Sequence, residues 1–205
     1  MNCIWLGLTG NIGCGKTTVA RMLESFGAAV VDADREAHMI AQEDAGYRKA
    51  LTERFGDGLF QANGALDRPA LANLLFDDPL ALSDFNAMLQ PRLVARTRAK
   101  LQALAATHSV VVLDGALIFE YGRQSDFKEV WLVTASPEIV NARMMAHGFT
   151  LEQIEKRRAA QWSEEVKKPL ANRIIANDGS LEQLEAIVKR HWNELTLQCG
   201  QGRSA

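Results

Sequence analysis

The chain has 205 residues, of which 47% are hydrophobic, and its 23 Lys and Arg nearly balance its 25 Asp and Glu, for a formal net charge of −2. This length suits one domain that buries a core of its own. The balanced charge argues against a strongly basic face, so neither nucleic acid nor an anionic membrane surface is an expected partner.

The hydropathy pattern and the cysteines narrow the class of protein further. No stretch reaches about 18 apolar residues, so no membrane span is expected. Cys3, Cys14 and Cys199 have neither disulfide nor metal-ligand spacing, which favours free thiols in a cytoplasmic protein. We expect a monomer or a weak homo-oligomer.

Short apolar runs alternate with helical patterns along the chain. The runs are rich in β-branched residues and nearly continuous, which is typical of parallel strands covered on both faces. They predict five strands: Cys3–Leu8, Ala28–Asp34, Ser109–Gly115, Glu129–Ala135 and Asn172–Asp178. Apolar residues at helical spacing predict three helices between them: Lys16–Phe26, Pro137–His147 and Leu181–Glu194. The alternation predicts an α/β fold with three α/β/α layers and a five-stranded parallel sheet.

Two stretches interrupt the alternation. Residues from about 35 to 108 contain several helical patterns and no convincing strand, which predicts a helical insertion. A second helical excursion covers about 148–170 and opens with a capping box at Thr150–Gln153. We therefore predict a single domain over residues 1–205, with its core in residues 1–34, 109–147 and 171–197.

A glycine-rich segment separates the first strand from the first helix. Gly10–Thr17, GNIGCGKT, fits the pattern G-x-x-x-x-G-K-[ST] of phosphate-binding loops. Glycine weakens a helix by about 1 kcal/mol relative to alanine, so three glycines here indicate a backbone that curls around an anion. A chance glycine turn is the alternative, but a strand before the segment and a helix after it are the context that a phosphate loop requires.

This loop predicts specific contacts with a nucleotide. The residues expected to bind its phosphates are Gly10, Asn11, Ile12, Gly13, Cys14, Gly15, Lys16, Thr17 and Thr18. Lys16 would reach the β- and γ-phosphates, and the Thr17 hydroxyl would bind Mg²⁺.

Carboxylates follow two of the predicted strands. Asp32 and Asp34 end the second strand, and Asp114 ends the third. In a doubly wound sheet, ligands bind at the carboxyl ends of the strands, so these side chains could face the γ-phosphate. A kinase needs a carboxylate to handle the proton of the acceptor hydroxyl. For Asp34 the alternative role is the N-cap of the next helix, and for Asp114 the alternative is a simple strand-end turn.

Cations are also available where a kinase would need them. Arg143 lies on the helix after the fourth strand, and Arg157 and Arg158 lie in the second helical excursion. Phosphoryl transfer needs positive charge because negative charge spreads over the transferred oxygens. A solvated helix face is an equally good explanation for each arginine, and no two histidines have metal-ligand spacing.

Several segments are far more specific than the phosphate loop alone. They are VVDADREAH (Val30–His38), GALDRPALANLLF (Gly64–Phe76), LQPRL (Leu89–Leu93), LDGALIFE (Leu113–Glu120), ARMMAHG (Ala142–Gly148) and RRAAQ (Arg157–Gln161). With the loop, and with IIANDGSLEQL near the end, they resemble the dephospho-coenzyme A kinase family over nearly the whole chain.

The resemblance implies a nucleotide-binding core, a helical substrate-binding insertion and a lid, about 148–170, that closes over ATP. ATP would donate its γ-phosphoryl group to the ribose 3′-hydroxyl of dephospho-coenzyme A, which gives coenzyme A and ADP in the last step of coenzyme A biosynthesis. Asp32 would be the base, Lys16 and Arg143 would stabilise the transferred group, and Thr17 would hold Mg²⁺. Five residues would lie towards the acceptor: Asp34, Arg68, Asp114, Leu117 and Glu120.

Four residues depart from the usual pattern of that family. Gln90 stands in place of a histidine, Ala116 of a proline, His147 of an arginine and Asn172 of an aspartate. A neutral imidazole gives no permanent cation, so His147 bears most on the rate. Two alternatives therefore stay open: a kinase of the same build with another acceptor, and a nucleotide-binding homologue with weakened catalysis.

Overall fold

The structure, a computed structural model, describes residues 3–61 and 65–200. The strands are β1 (Ile4–Gly10), β2 (Ala29–Asp32), β3 (Val110–Asp114), β4 (Glu129–Thr134) and β5 (Arg173–Ala176). The helices are α1 (Lys16–Ser25), α2 (Ala33–Glu43), α3 (Ala45–Phe55), α4 (Arg68–Asp77), α5 (Pro79–Ala105), α6 (Pro137–Ala146), α7 (Leu151–Ala159), α8 (Glu164–Lys167) and α9 (Leu181–Gly200).

The five strands form one parallel sheet in the order β2-β3-β1-β4-β5. In the central strand, Leu6 pairs with Val112 of β3 on one side and with Glu129 of β4 on the other. Both neighbours of β1 are almost entirely buried, as their continuous apolar sequences predicted. The predicted fold class, an α/β fold with a five-stranded parallel sheet, is confirmed.

The chain divides into two compact units. The first unit consists of residues 1–31 and 101–205 and contains the core of the sheet. Leu6, Leu8 and Trp131 are completely buried there and pack with residues of the surrounding helices in one cluster. This unit carries the phosphate loop.

The second unit, residues 32–100, is helical. Its apolar cluster is formed by Leu59, Leu71, Leu75 and Ala81. Within the described part of this unit, the β contact outside the named strands is a single bridge between Phe60 and Leu66. Whether this unit is the substrate-binding insertion predicted for about 35–108 stays a prediction.

The junction between β2 and α2 differs from the expectation. The predicted strand reached Asp34, but β2 ends at Asp32, and α2 begins at Ala33. The side chain of Asp32 is the N-cap, because its Oδ1 accepts from the backbone N–H groups of Asp34 at 2.9 Å and Arg35 at 3.0 Å. The alternative that Asp34 caps this helix is therefore wrong, and Asp34 lies in its first turn.

A buried carboxylate connects α2 with α5 inside the second unit. The side chain of Glu36 is only 4% exposed, and its two oxygens accept from Arg96 Nε and Lys100 Nζ, each at 2.6 Å. Burial alone would raise the pKa of Glu36, but the hydrogen bonds from Lys100 and Arg96 outweigh it and hold the pKa below its ordinary value.

No helix in residues 3–61 and 65–200 has the length and apolar character that crossing a bilayer would require.

Replacing Glu36 by Gln should lower the free energy of unfolding by about 2 kcal/mol at neutral pH, because it removes two charge-assisted hydrogen bonds from a buried group. Urea unfolding measures this. The matched control is Glu53→Gln, which breaks an exposed pair with Lys49 and should cost less than about 0.5 kcal/mol. Equal losses of unfolding free energy in the two variants would show that the buried hydrogen bonds of Glu36 stabilise the fold no more than an exposed pair does.

The same variant should show a defined pH dependence. A carboxylate whose folded-state pKa is lowered stabilises the protein above its unfolded pKa, and this contribution is lost as the pH falls through the folded pKa. The difference in the free energy of unfolding between the wild type and Glu36→Gln should therefore be largest at neutral pH and should shrink below about pH 4.

Candidate active site

The phosphate loop joins the central strand to α1. Its first glycine, Gly10, lies so close to β4 that a Cβ there would come within 2.4 Å of the carbonyl oxygen of Val133. Gly15 adopts φ +94°, a conformation that side chains disfavour, and forms the N-cap of α1 without a side-chain hydrogen bond. The first turn of α1 contains no acidic residue. Its positive dipole end is thus left for an anion.

Two side chains, one from the residue after β5 and one from the loop itself, donate hydrogen bonds to carbonyl groups of the loop. The buried amide of Asn177 donates from Nδ2 to the carbonyl of Cys14 at 2.8 Å. Lys16 Nζ donates to the carbonyl of Gly10 at 2.9 Å. Because a carbonyl group repels a phosphate, these two contacts turn carbonyl groups of the loop away from an anion and favour anion binding by loop N–H groups that no other side chain occupies.

A cavity of about 430 Å³ opens above the loop and the start of α1. It is lined by Gly13, Gly15, Lys16, Thr17, Thr18, Arg143, Met144, His147, Asn177, Gly179, Leu181 and Leu184. Among these described residues, Lys16, Arg143 and His147 have basic side chains, and none is Asp or Glu. The cavity therefore suits a ligand with several negative charges.

Arg143 is the second strong cation of this cavity. It lies in the last turn of α6, where its Nη2 donates to the backbone carbonyl of Asn177 at 3.0 Å and to Asn177 Oδ1 at 3.3 Å. Its Nη1 is buried and has no hydrogen-bond partner within the described residues. An unpaired buried guanidinium N–H is costly, so a ligand oxygen at this position would be stabilised.

The segment after α7 contacts the apex of the loop. Gln161 Oε1 accepts from the backbone N–H of Ile12 at 3.0 Å. The side chain of Asn11 donates from Nδ2 to the carbonyl of Trp162 at 3.1 Å. These two contacts connect the region that the sequence predicted as a lid with the phosphate loop.

The residues predicted on the acceptor side within the first unit follow β3. Asp114 is the last residue of this strand and pairs in register with Leu8. Leu117 is half-buried in the turns that follow. Glu120 is only 11% exposed, and its Oε1 accepts from the backbone N–H of Trp162 at 3.0 Å and pairs with Lys167 at 2.8 Å.

Lys167 is a functional candidate that sequence reasoning missed. Its side chain is completely buried, and its ammonium group also donates to the carbonyl of Ala116 at 3.1 Å. Burial lowers the pKa of Lys167, and the hydrogen bond and the charge of Glu120 oppose that shift. In the sequence this lysine stands beside Lys168 in a polar stretch, so nothing distinguished it from a solvated residue.

The remaining predicted residues belong to the second unit or to the lid region. Asp32 is exposed and caps α2, and Asp34 follows it in the same helix. Arg68 begins α4, and its side chain lies outside the described residues. Arg158 donates to Asn141 Oδ1 at 2.9 Å, and Arg157 lies over the ring of Phe149, at 4.8 Å from the ring centre.

Comparison with known proteins decides the family. A family model described as dephospho-CoA kinase matches residues 4–183. The dephospho-CoA kinases of Moorella thermoacetica and Streptomyces avermitilis are 35% and 36% identical to this chain, over 93% and 96% of it and over 91% and 96% of their own lengths. The chain belongs to the dephospho-CoA kinase family. A crystal structure from Thermus thermophilus is 35% identical, with a TM-score of 0.78 over 95% of this chain and 99% of that one.

As a member of the dephospho-CoA kinase family, the chain is a P-loop kinase. Three of the four residues that the sequence resemblance set apart have the following positions and contacts. Asn172 Oδ1 accepts from the backbone N–H of Val130 at 2.7 Å, and the Asn172 N–H donates to the Val130 carbonyl, so an amide here anchors β5 to β4. His147 is the C-cap residue of α6, and its exposed side chain lines the cationic cavity. Gln90 lies within α5.

Replacing Gly15 by Ala should weaken ATP binding at least 100-fold. The added Cβ would lie 2.2 Å from Asn177 Nδ2, so the side chain that holds the loop would have to move. Isothermal titration calorimetry with ATP measures the loss.

Gly27→Ala is the matched control for this substitution. Gly27 also has a positive φ, +103°, but a Cβ there has nothing within 4 Å. This variant should lose roughly 1–2 kcal/mol of unfolding free energy through backbone strain and keep its Kd for ATP. If both variants bound ATP equally well, the contact between Gly15 and Asn177 would not matter for binding.

Proposed function

We propose that this protein transfers the γ-phosphoryl group of ATP to the ribose 3′-hydroxyl of dephospho-coenzyme A, giving coenzyme A and ADP in the last step of coenzyme A biosynthesis. The observation that carries the proposal is the cationic cavity over the phosphate loop, in a chain that matches the dephospho-CoA kinase family over residues 4–183. In the reaction the 3′-oxygen forms a bond to the γ-phosphorus, the bond from that phosphorus to the bridging oxygen of ADP breaks, and the hydroxyl proton leaves.

The loop residues would bind the triphosphate. Lys16 would exchange its hydrogen bond with the Gly10 carbonyl for the β- and γ-phosphate oxygens, a short movement for a flexible ammonium group. Arg143 would direct its unpaired Nη1 to the same charge. Both cations act mainly on the charge of the transition state, where the negative charge on the transferred oxygens is most spread.

Mg²⁺ fits the same end of the site. Thr17 is exposed near the start of α1, and its hydroxyl would bind the ion together with phosphate oxygens. When bound there, Mg²⁺ would neutralise part of the charge of the phosphate groups. Within the described residues, no group of three or more His, Cys, Asp and Glu forms a metal site without a nucleotide.

Asp32 is our candidate for the base. Its Oδ1 is held by two backbone N–H groups of α2, which orients the carboxylate and makes it rigid. The acceptor would lie towards Asp34, Arg68, Asp114 and Leu117, as the family resemblance implies, while Glu120 is bound to Lys167 and Trp162. A cytoplasmic location and a monomeric or weakly oligomeric state remain part of this proposal, and the free thiols of Cys3 and Cys14 support the former.

The test is ADP formation from ATP and Mg²⁺ with a panel of hydroxyl acceptors, followed by the mass and the phosphate position of the product. We expect ADP formation only with dephospho-coenzyme A and a product one phosphoryl group heavier, at the 3′ position. Turnover with another nucleotide alone would identify a different acceptor. ATP binding without any turnover would support the binding-only alternative and contradict the proposal.

Replacing Asp32 by Asn should reduce kcat by about 10²- to 10⁴-fold with little change in either KM, because it removes the proton acceptor. Asn caps helices about as well as Asp, so the unfolding free energy should stay nearly constant. Steady-state kinetics and urea unfolding measure the two effects.

Asp44→Asn is the control, because Asp44 caps α3 in the same unit by accepting from the Tyr47 N–H at 2.8 Å. Its kcat should stay within about twofold of the wild type. Wild-type kcat in Asp32→Asn would remove Asp32 from the mechanism.

A further inference from the structure

The mechanism proposed above gives no role to the most deeply buried charge of the first unit, the ammonium group of Lys167. Its side chain has no exposed area, and Nζ lies 2.8 Å from Glu120 Oε1 and 3.1 Å from the carbonyl oxygen of Ala116. Thr9 Oγ1 donates to the same Ala116 carbonyl at 3.2 Å. Lys167 therefore closes a small polar cluster between β1, the turns after β3 and the end of α8.

This cluster is continuous with the contacts over the phosphate loop. Glu120 Oε1 accepts from Lys167 and also from the backbone N–H of Trp162. Trp162 and its neighbour Gln161 are the residues that contact Asn11 and Ile12 at the loop apex. One carboxylate oxygen thus binds both ends of the segment 161–167, which crosses from the loop apex to the turns 116–120.

The free-energy cost of burying the ion pair between Lys167 and Glu120 favours a positioning role for it. A buried ammonium group loses its hydration, and apolar side chains of similar volume often replace a buried ion pair without loss of stability. Contacts between apolar side chains have no preferred direction. The charged hydrogen bonds of Lys167 do, and they fix its position relative to Glu120 and the Ala116 carbonyl. Such pairs are best attested where they specify register.

We propose that Glu120 and Lys167 are positioning residues that fix the segment 161–167 across the apex of the phosphate loop and so set the affinity for ATP. Glu120 then acts through the lid segment and not by binding the acceptor, which differs from the role that the family resemblance implied for it. The inference rests on the proposed function for the acceptor, but ATP affinity and the position of the segment can be measured without any acceptor.

The test compares Lys167→Met, Glu120→Gln and the double variant E120Q/K167M with the wild type, by ATP titration calorimetry and hydrogen exchange of the whole chain. We expect each single variant to bind ATP about 5- to 20-fold more weakly. Exchange at the amides of Ile12 and Trp162 should rise at least 10-fold, while exchange in the core strand β1 stays unchanged. Since both residues act through one contact, the double variant should bind ATP about as weakly as the single variants and should not regain the wild-type affinity.

Lys168→Met is the matched control, because Lys168 is the adjacent lysine but is 43% exposed and paired with Glu164 at 3.3 Å. It should keep the ATP Kd and the exchange pattern of the wild type. If Lys167→Met does not fold, the double variant decides alone. Removing both charges together should restore the fold, and if ATP affinity returned with it, the pair would be structural only and the proposal would be wrong.

Kinetics with dephospho-coenzyme A separate positioning from acceptor binding. Glu120 Oε2 is buried and has no hydrogen-bond partner within the described residues, so a direct contact with the acceptor is the competing role. Positioning predicts that KM for dephospho-coenzyme A stays within about twofold in Glu120→Gln. A rise in this KM alone, with unchanged ATP affinity and exchange, would overturn the inference. Absence of turnover in the wild type would reject the proposed function and leave the ATP and exchange results to decide the positioning role.

Discussion

The phosphate loop depends on one buried hydrogen bond, from the side-chain amide of Asn177 to the carbonyl of Cys14. A loop that binds an anion must turn its carbonyl groups away from the ligand, and a carbonyl removed from water needs a donor. Asn177 supplies that donor from the end of β5, and Gly15 leaves the space that its amide occupies. In the sheet, β4 lies between β1 and β5. The strand order therefore brings Asn177, after β5, close to the loop that follows β1.

The two cations of the site, Lys16 and Arg143, are held by oxygens of the protein before a ligand binds, and a phosphate would give each of them a charged partner. Lys16 is satisfied by the loop itself, through the Gly10 carbonyl, and Arg143 is fixed by two oxygens of Asn177 with one N–H group left unpaired. Fixing the guanidinium before the ligand arrives reduces the entropy that binding must lose. Asn177 therefore holds both the backbone that receives the phosphates and the arginine that neutralises them.

The sequence predicted the parts of this site that are local in the chain. Five strands, the helix after the glycine loop and the capping box at Thr150–Gln153 follow from short patterns, and all are present. Two features were not predicted, one because the exact end of a strand decides it and the other because it depends on a tertiary contact. The N-cap of α2 is Asp32 and not Asp34, because β2 ends two residues earlier than predicted. Lys167 pairs with Glu120, which lies 47 positions away, and no sequence pattern connects residues at that separation.

The most direct test of the central claim is a crystal structure with a non-hydrolysable ATP analogue, Mg²⁺ and dephospho-coenzyme A bound together. We predict that the triphosphate lies within Gly10–Thr17, with Lys16 Nζ on its phosphate oxygens, Arg143 Nη1 paired, and the 3′-hydroxyl within hydrogen-bond distance of the Asp32 carboxylate. A structure in which Lys16 stayed on the Gly10 carbonyl, or in which another hydroxyl of the acceptor met the γ-phosphate, would contradict it.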